Sequence, residues 1–231
     1  MRTISIIIPA LNEAGAIREV LTHLQPMQAL GAEVVVVDGG SADDTMTIAA
    51  SLCNFVERAP RGRASQMNAG AARASGSILL FLHADTRLPP SAIELVFDAL
   101  RGGDQVWGRF DVRIESPNPV LWLIARMMNL RSRWSGIATG DQAIFVRRAD
   151  FNRIGGFRDI PIMEDIALSR ALRRLSKPAC IRVPVITSAR RWEQHGIMRT
   201  IFLMWRLRLA YFRGADPTDL ARAYGYGPSH D

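Results

Sequence analysis

Three short segments hold the residues whose types and spacing could do chemistry. Pro9-Ala10-Leu11-Asn12-Glu13 follows the apolar run Ile4–Ile8. Asp38-Gly39-Gly40-Ser41-Ala42-Asp43-Asp44-Thr45 follows Val34–Val37, and His83-Ala84-Asp85-Thr86 follows Ile78–Leu82. Three stretches of continuous apolar chain thus end in acidic or polar residues. Such a rim suits a base or ribose held by carboxylates, with a divalent cation bridging phosphates. A hard cation such as Mg2+ prefers one or two carboxylates together with the substrate's own phosphate oxygens. Asp85, on a tight turn after a buried strand, suits that role. No GxGxxG follows the first run and no GxxxxGKS/T occurs anywhere, which argues against dinucleotide-binding Rossmann and P-loop readings.

Taken singly, these residues also have plainer explanations. An isolated Asp-Gly-Gly-Ser is more often a turn than a base reader. Glu164-Asp165 could be two acids favoured at a helix N-terminus by the dipole. His83 could be a turn histidine with its hydrogen bonds satisfied, and His195 a surface residue. Arg63 could be solvated at the start of its helix. A cation is disfavoured there, however, so a bound anion helps explain it.

The elements that must position these residues are legible from periodicity. Ile4–Ile8, Val34–Val37 and Ile78–Leu82 lack polar alternation, as strands buried on both faces of a parallel sheet do. Between the first two, Glu13 to about Leu30 carries Ile17, Val20, Leu21 and Leu24 at helical spacing. Thr45–Leu52 and Ala64–Ala74 read as helices, with a weak strand at Asn54–Glu57. The order β-α-β-α-β-α-β specifies a doubly wound α/β unit, whose ligands bind beyond the carboxyl ends of the strands. Further on, helices are expected at Ser91–Leu100, Val120–Trp134, Glu164–Leu175 and Ile197–Phe212. Strands are expected at Val106–Ile114, Gln142–Val146 and Ile181–Val185. The reading is a single domain over residues 1–213, with a first half (1–115) that carries the strand-end residues, a second half (116–213) and an irregular tail (214–231).

SIIIPALNE followed at this distance by VVDGGSADDT resembles the family 2 glycosyltransferases, nucleotide-sugar enzymes of the GT-A fold. The resemblance runs from Ser5 to about Arg199. It implies a mostly parallel doubly wound sheet with helices on both faces, followed by C-terminal amphipathic helices. It further implies that Pro9, Ala10, Asn12 and Glu13 line the nucleotide pocket and that Asp38, with Gly39, reads the base. Arg63 in Gly62-Arg63-Ala64-Ser65-Gln66-Met67-Asn68 resembles the basic residue that contacts the donor, with Asn68 on the same side. His83, Ala84 and Asp85 stand where the family has its DxD-type motif, and Asp85 is its last acid, holding Mg2+ or Mn2+ on the diphosphate. His83 replaces the usual first aspartate; neutral imidazole suits Mn2+ better than Mg2+, or contacts ribose. The HADT turn resembles a bacterial subgroup often labelled arsenosugar-biosynthesis or radical-SAM-associated transferases.

The second half carries the acceptor side of the resemblance. Gly140, Asp141 and Gln142 are similar to the segment beside the sugar, and Glu164-Asp165 to the ED motif whose aspartate is the base of inverting enzymes. A hydroxyl has a pKa far above neutral, so it needs such a carboxylate as it attacks the anomeric carbon. Arg191 and Trp192 are similar to the tail of the QxxRW motif of processive members. Ser188 stands where the glutamine belongs, which argues against processive synthesis. His195 follows where some GT-A enzymes supply a late metal ligand.

Composition narrows the classes further. With 231 residues, 48% hydrophobic and 22% charged, the chain is neither disordered nor a disulfide scaffold. Its formal charge is +7, and Lys177 is the sole lysine. Residues 1–115 carry 10 basic and 13 acidic side chains; residues 116–231 carry 19 and 9. The basic half suggests an anionic partner, although an arginine-favouring genome composition accounts for the choice of arginine. Arg199, Arg206 and Arg213 recur every seven residues, as do Arg126 and Arg133 near Trp122 and Trp134. Such helices lie in a membrane interface or pack on the core. The donor expected is a nucleoside-diphosphate sugar, and the acceptor is lipid-linked or phosphate-bearing. Scattered arginines and few aromatics argue against nucleic acid. A nucleotidyltransferase is the rival within the fold, but Pro9–Glu13 is neither Gly-rich nor basic. Cys53 and Cys180 read as reduced thiols, and no run nears the ~18 apolar residues of a membrane span. A cytoplasmic protein, peripheral at the inner membrane face, is expected.

Overall fold

The apolar runs form the centre of one eight-stranded sheet in the computed structural model, which describes residues 3–225. The first half contains β1 (Ile4–Ala10), α1 (Ala14–Ala29), β2 (Glu33–Asp38), α2 (Thr45–Ala50), β3 (Phe55–Arg58), α3 (Arg63–Arg73), β4 (Ile78–Phe81), β5 (Thr86–Arg87), α4 (Ala92–Ala99) and β6 (Trp107–Glu115). There follow α5 (Pro119–Ser135), β7 (Phe145–Arg147), α6 (Arg148–Arg153), α7 (Glu164–Leu172), β8 (Ala179–Ser188), α8 (Arg190–His195), α9 (Ile197–Phe212) and α10 (Pro217–Tyr224). The strand order is β3-β2-β1-β4-β7-β6-β8-β5. The first four strands in that order are parallel; β7 enters antiparallel between β4 and β6, and β8 runs parallel to β6. The α/β architecture is thus mostly parallel, and both halves of the chain share the sheet.

All seven residues of β1 are buried, and their alternation feeds two layers. Ile4, Ile6 and Ile8 meet α1 on one face, while Ile7 meets Val35, Val37 and the α3 residues Ala64, Met67 and Ala71 on the other. α1 has no side-chain cap at Glu13, a lack costing roughly 1 kcal/mol. Burying Ile17, Val20, Leu21, Leu24 and Met27 contributes roughly 1.5–3 kcal/mol for each large aliphatic side chain, so packing decides that helix. α3 lies close against β1 and β2 because residue 70 is glycine: a Cβ there would overlap the methyl groups of Ile7 and Val37.

The structure departs from the sequence reading in its second half. The strand expected at Gln142–Val146 divides into a 3-10 turn, Gly140–Gln142, and β7. The Gln142 side chain folds back to accept the Thr139 N–H (3.3 Å), and Ala143 takes φ 45°, which ends extended chain there. The tail expected to be irregular contains α10, started by Asp216, whose carboxylate accepts the Thr218 N–H (2.7 Å), and by Pro217. Residues 226–231 of that tail lie outside the described residues. Arg133 does not share an outward stripe with Arg126. It turns toward the sheet and donates to both Asp111 oxygens (2.7 Å each), beside the fully buried Arg109.

Candidate active site

The carboxyl ends of β1 and β2 are held together by a side chain that periodicity gives no reason to single out. Gln66, on the buried side of α3, donates its amide to the carbonyls of both Ala10 and Val37 (2.8 Å each). The loops beyond are laced across the gap. Ser41 Oγ accepts the Asn12 N–H, Thr45 Oγ1 accepts the Glu13 N–H, and Asn12 Oδ1 accepts the Ala42 N–H (2.8–2.9 Å). Asn12 adopts φ 53° in this arrangement. Asp38 is fully buried and accepts the N–H groups of Gly40 and Ser41, so its carboxylate closes its own turn.

Facing this edge, three further segments converge. The Gly140 N–H donates to Asp165 Oδ2 (3.0 Å), the Ile166 N–H donates to Asp165 Oδ1 (2.7 Å), and His83 Nδ1 lies 3.2 Å from Asp141. Gly140 is required because a Cβ there would overlap the His83 imidazole. Met163, just ahead of the acidic pair, sits at φ 68°, an uncommon conformation for a non-glycine residue. It aims the first turn of α7 into the cleft, so that Glu164 and Asp165 both reach the wall.

Burial dominates the protonation of the pair. It pushes Glu164 up to about 7, helped by the Asp165 charge and opposed by Arg63. Asp165 is likewise pushed up by burial, and less so by Asp141, against the two backbone N–H donors and Arg63. Two carboxyls this close titrate as a unit, and burial raises both members of the pair.

These groups line an open cleft of about 710 Å3. Its wall brings together Pro9, Ala10, Glu13, Arg63, His83, Ala84, Asp85, Gly140, Asp141, Glu164, Asp165 and Trp192, as expected from the sequence. Other expected site residues are used elsewhere. Asn68 clamps the backbone of Phe157, donating to its carbonyl (2.8 Å) and accepting its N–H (2.9 Å). Gln142 is fully buried, with its amide directed to Asn129. Asn12, Asp38 and Gly39 lie behind the wall in the laced loops, and His195 is exposed on α8 away from the cleft. Arg191 is the second residue of that helix, whose first, Arg190, reaches 2.7 Å from Glu13. Unforeseen wall residues are Arg61, Asp159, Arg208, Arg222 and Tyr224, the last three brought in by α9 and α10.

The model of glycosyl transferase family 2 matches residues 5–158. The chain belongs to this family. A relative, the PGL/p-HBAD biosynthesis glycosyltransferase of Mycobacterium bovis (strain BCG / Pasteur 1173P2), is 32% identical over 170 residues, or 66% of this chain and 62% of the relative. The chain thus spans under two thirds of that relative's length. Among solved structures, S. aureus TarS in complex with UDP-GlcNAc superposes with a TM-score of 0.65 at 18% identity, covering 81% of this chain and 58% of TarS. Glucosyl-3-phosphoglycerate synthase from Mycobacterium tuberculosis, in complex with Mn2+, UDP and phosphoglyceric acid, gives 0.65 at 23% identity, covering 93% and 79%. Both share the GT-A fold with this chain.

Within the family 2 frame, the metal set expected from sequence is not assembled. Among the described residues no three His, Cys, Asp or Glu side chains are grouped to hold a metal. His83 is engaged with Asp141 and crowded by Gly140, and His195 is remote. Asp85 remains: it lines the cleft, and its carboxylate has one long contact from Thr86 Oγ1 (3.3 Å). A single protein carboxylate fits a Mg2+ or Mn2+ ion whose other ligands are diphosphate oxygens and water.

Proposed function

We propose that this family 2 protein transfers a sugar from a nucleoside-diphosphate donor to an acceptor hydroxyl with inversion. The observation that carries the reading is the position of Asp165: its half-buried carboxyl is fixed by two backbone N–H donors and lines the same cleft as Asp85 and the basic start of α3. Pro9, Ala10 and Glu13 form the nucleoside side, and Arg63 meets the diphosphate. A uridine nucleotide is supported by the UDP complexes of TarS and the synthase.

In the reaction, the acceptor hydroxyl hydrogen-bonds to Asp165. As its oxygen forms a bond to the anomeric carbon, its proton passes to that carboxylate. The bond between that carbon and the diphosphate oxygen breaks, and the electron pair leaves with the nucleoside diphosphate. A single displacement of this kind inverts the centre. Glu164, raised by burial and by the Asp165 charge, limits the negative charge that the pair carries near neutrality. Arg63 stabilises charge that develops on the leaving group, an effect strongest where water is excluded. A divalent cation held by Asp85 and the donor phosphates neutralises that same charge when bound.

The acceptor side combines apolar Met128 and Met204 with Arg208 and Arg222, which supports a lipid-linked or phosphate-bearing acceptor. The finer subgroup, the arsenosugar-labelled or radical-SAM-associated transferases, is supported by the His83–Thr86 turn.

Thermal shifts with UDP-, GDP- and dTDP-sugars, with and without Mn2+, test the reading. A donor at 100 times its Kd adds about 2.7 kcal/mol, or a Tm rise of about 5–10 °C at this chain length. Asp85→Asn should lose the metal-dependent part of that rise. Absence of a shift with every donor would refute the proposal.

A further inference from the structure

α5 and α9 each turn one face to the cleft and leave the opposite face bare. On α5, Met128 lines the cleft and Leu121 and Ala125 are buried, while Leu123, Met127, Leu130 and Trp134 project outward, Trp134 at 96% exposure. On α9, Thr200 and Met204 line the cleft and Leu207 is buried, while Met198, Phe202, Trp205, Leu209 and Phe212 are each more than half exposed. Exposed apolar side chains scattered singly need no explanation, but a helix face made of them does. The two helices meet one apolar cluster near the start of α9, where Ile197 packs against the group that contains Leu121 and Ala125.

The charges accompanying these faces are of one kind. Neither helix contains Asp, Glu or Lys. Arg199, Arg206 and, just past its end, Arg213 form an exposed border to the apolar strip of α9, and Arg126 lies over the Trp122 ring (5.4 Å) on α5. A second copy of the chain is a poor occupant, because a two-fold interface sets the same patch against itself and would bring arginine to arginine. Nucleic acid would match the arginines and leave the apolar strips in water. An anionic bilayer surface matches both, taking the apolar strips among its acyl chains and the guanidinium groups among its headgroups. Among the described residues no helix is long and apolar enough to cross a membrane, so the contact would be interfacial.

We propose that the outward faces of α5 and α9 dock this protein on an anionic membrane surface, with the cleft directly behind them. The proposal is tested without substrate. The purified full chain is sedimented with vesicles of phosphatidylcholine alone, or containing about 30 mol% phosphatidylglycerol, at near-physiological salt. Binding to the anionic vesicles is expected, with a blue shift of tryptophan emission, and little binding to the neutral ones. At about 1 kcal/mol for each basic residue near such a surface, the double variant Arg199→Gln/Arg206→Gln should partition about 30-fold less well. Leu130→Glu/Trp205→Glu should abolish binding. These positions are exposed, so unchanged melting temperatures and nucleotide binding separate a lost surface from a lost fold. Equal partition into both vesicle types, or none into either, would overturn the proposal. So would a concentration-dependent dimer that the Leu130→Glu/Trp205→Glu variant dissolves. Vesicle binding uses no nucleotide, so its failure is distinguishable from failure of the transferase reading.

Discussion

Asp165→Asn separates the chemistry from the architecture of the site. The carboxylate accepts two backbone N–H groups, from Gly140 and Ile166. The amide can accept through its one oxygen, so one of those donors loses its partner, at about 1–3 kcal/mol of stability. Against that, the variant no longer buries an ionisable group whose pKa burial has raised, so the net change in folding should be small. The rate is a different matter. A positioned general base contributes about 10²–10⁴-fold, or about 3–5 kcal/mol of barrier at 1.36 kcal/mol per decade. The amide has no basicity to replace it. Release of nucleoside diphosphate from the donor identified by thermal shift gives the rate, with water or an added acceptor taking the sugar; calorimetric titration gives nucleotide affinity. The expected result is a rate loss of at least 100-fold, with nucleotide affinity within about two-fold of the parent. Turnover at the parental rate would refute Asp165 as base. An equal loss of rate and affinity would move the defect from proton transfer to the shape of the cleft.

Two further outcomes follow from the same wall. Glu164 is raised from 4.5 to about 7, so between those values the folded chain holds a proton that the unfolded chain releases. Stability from this group is full below about 4.5 and is lost as the pH rises toward 7, by a total on the order of 3 kcal/mol. Urea unfolding of Glu164→Gln should lack that decline and give a more stable protein than the parent above pH 7; a parent whose stability rises across the window would contradict the assignment. Gly140→Ala inserts a methyl group against His83, at about 1–3 kcal/mol, and displaces the N–H that holds Asp165. Its melting temperature and turnover should both fall, and His83→Ala in the same chain should restore stability by relieving the overlap. Unchanged turnover in the single variant would mean that the turn has no hold on the base.

The strands and helices of the first half were legible because burial on both faces leaves a pattern that depends on nothing distant. The residues following β1 and β4 were legible as a site for the same reason, since an open sheet presents its strand ends on one edge. What stayed hidden is tertiary. Gln66 reads as one more polar residue of a helix until its amide is found between Ala10 and Val37. Asn68 belongs to a recognisable motif, yet its partner Phe157 is 89 residues away. The contact of Arg190 with Glu13 spans 177 residues. α10 is different: Asp216-Pro217 is a cap followed by a helix-starting proline, and that signal was present. The Gly- and Tyr-bearing residues that follow outweighed it. The cleft wall contributed by Arg222 and Tyr224 was missed with it.

The uneven charge of the chain also resolves into two directions. Part of the arginine excess of the second half points outward along α5 and α9, and part points toward the base. Arg131 on α5 is the least expected of the inward group. Its Nε and Nη2 are buried without hydrogen-bond partners among the described residues, at a cost that a structural arginine would avoid by turning to solvent. Burial lowers its pKa, while Asp165 and Asp141 act in the opposite sense. A guanidinium stays charged at any pH at which the protein works. Arg131 and Arg63 therefore set two fixed positive charges near the acids Asp141, Glu164 and Asp165. Both charges favour the ionised form of the carboxyl that is to accept the acceptor's proton, and removing either arginine should move the acid limb of the rate profile upward rather than merely scale the rate.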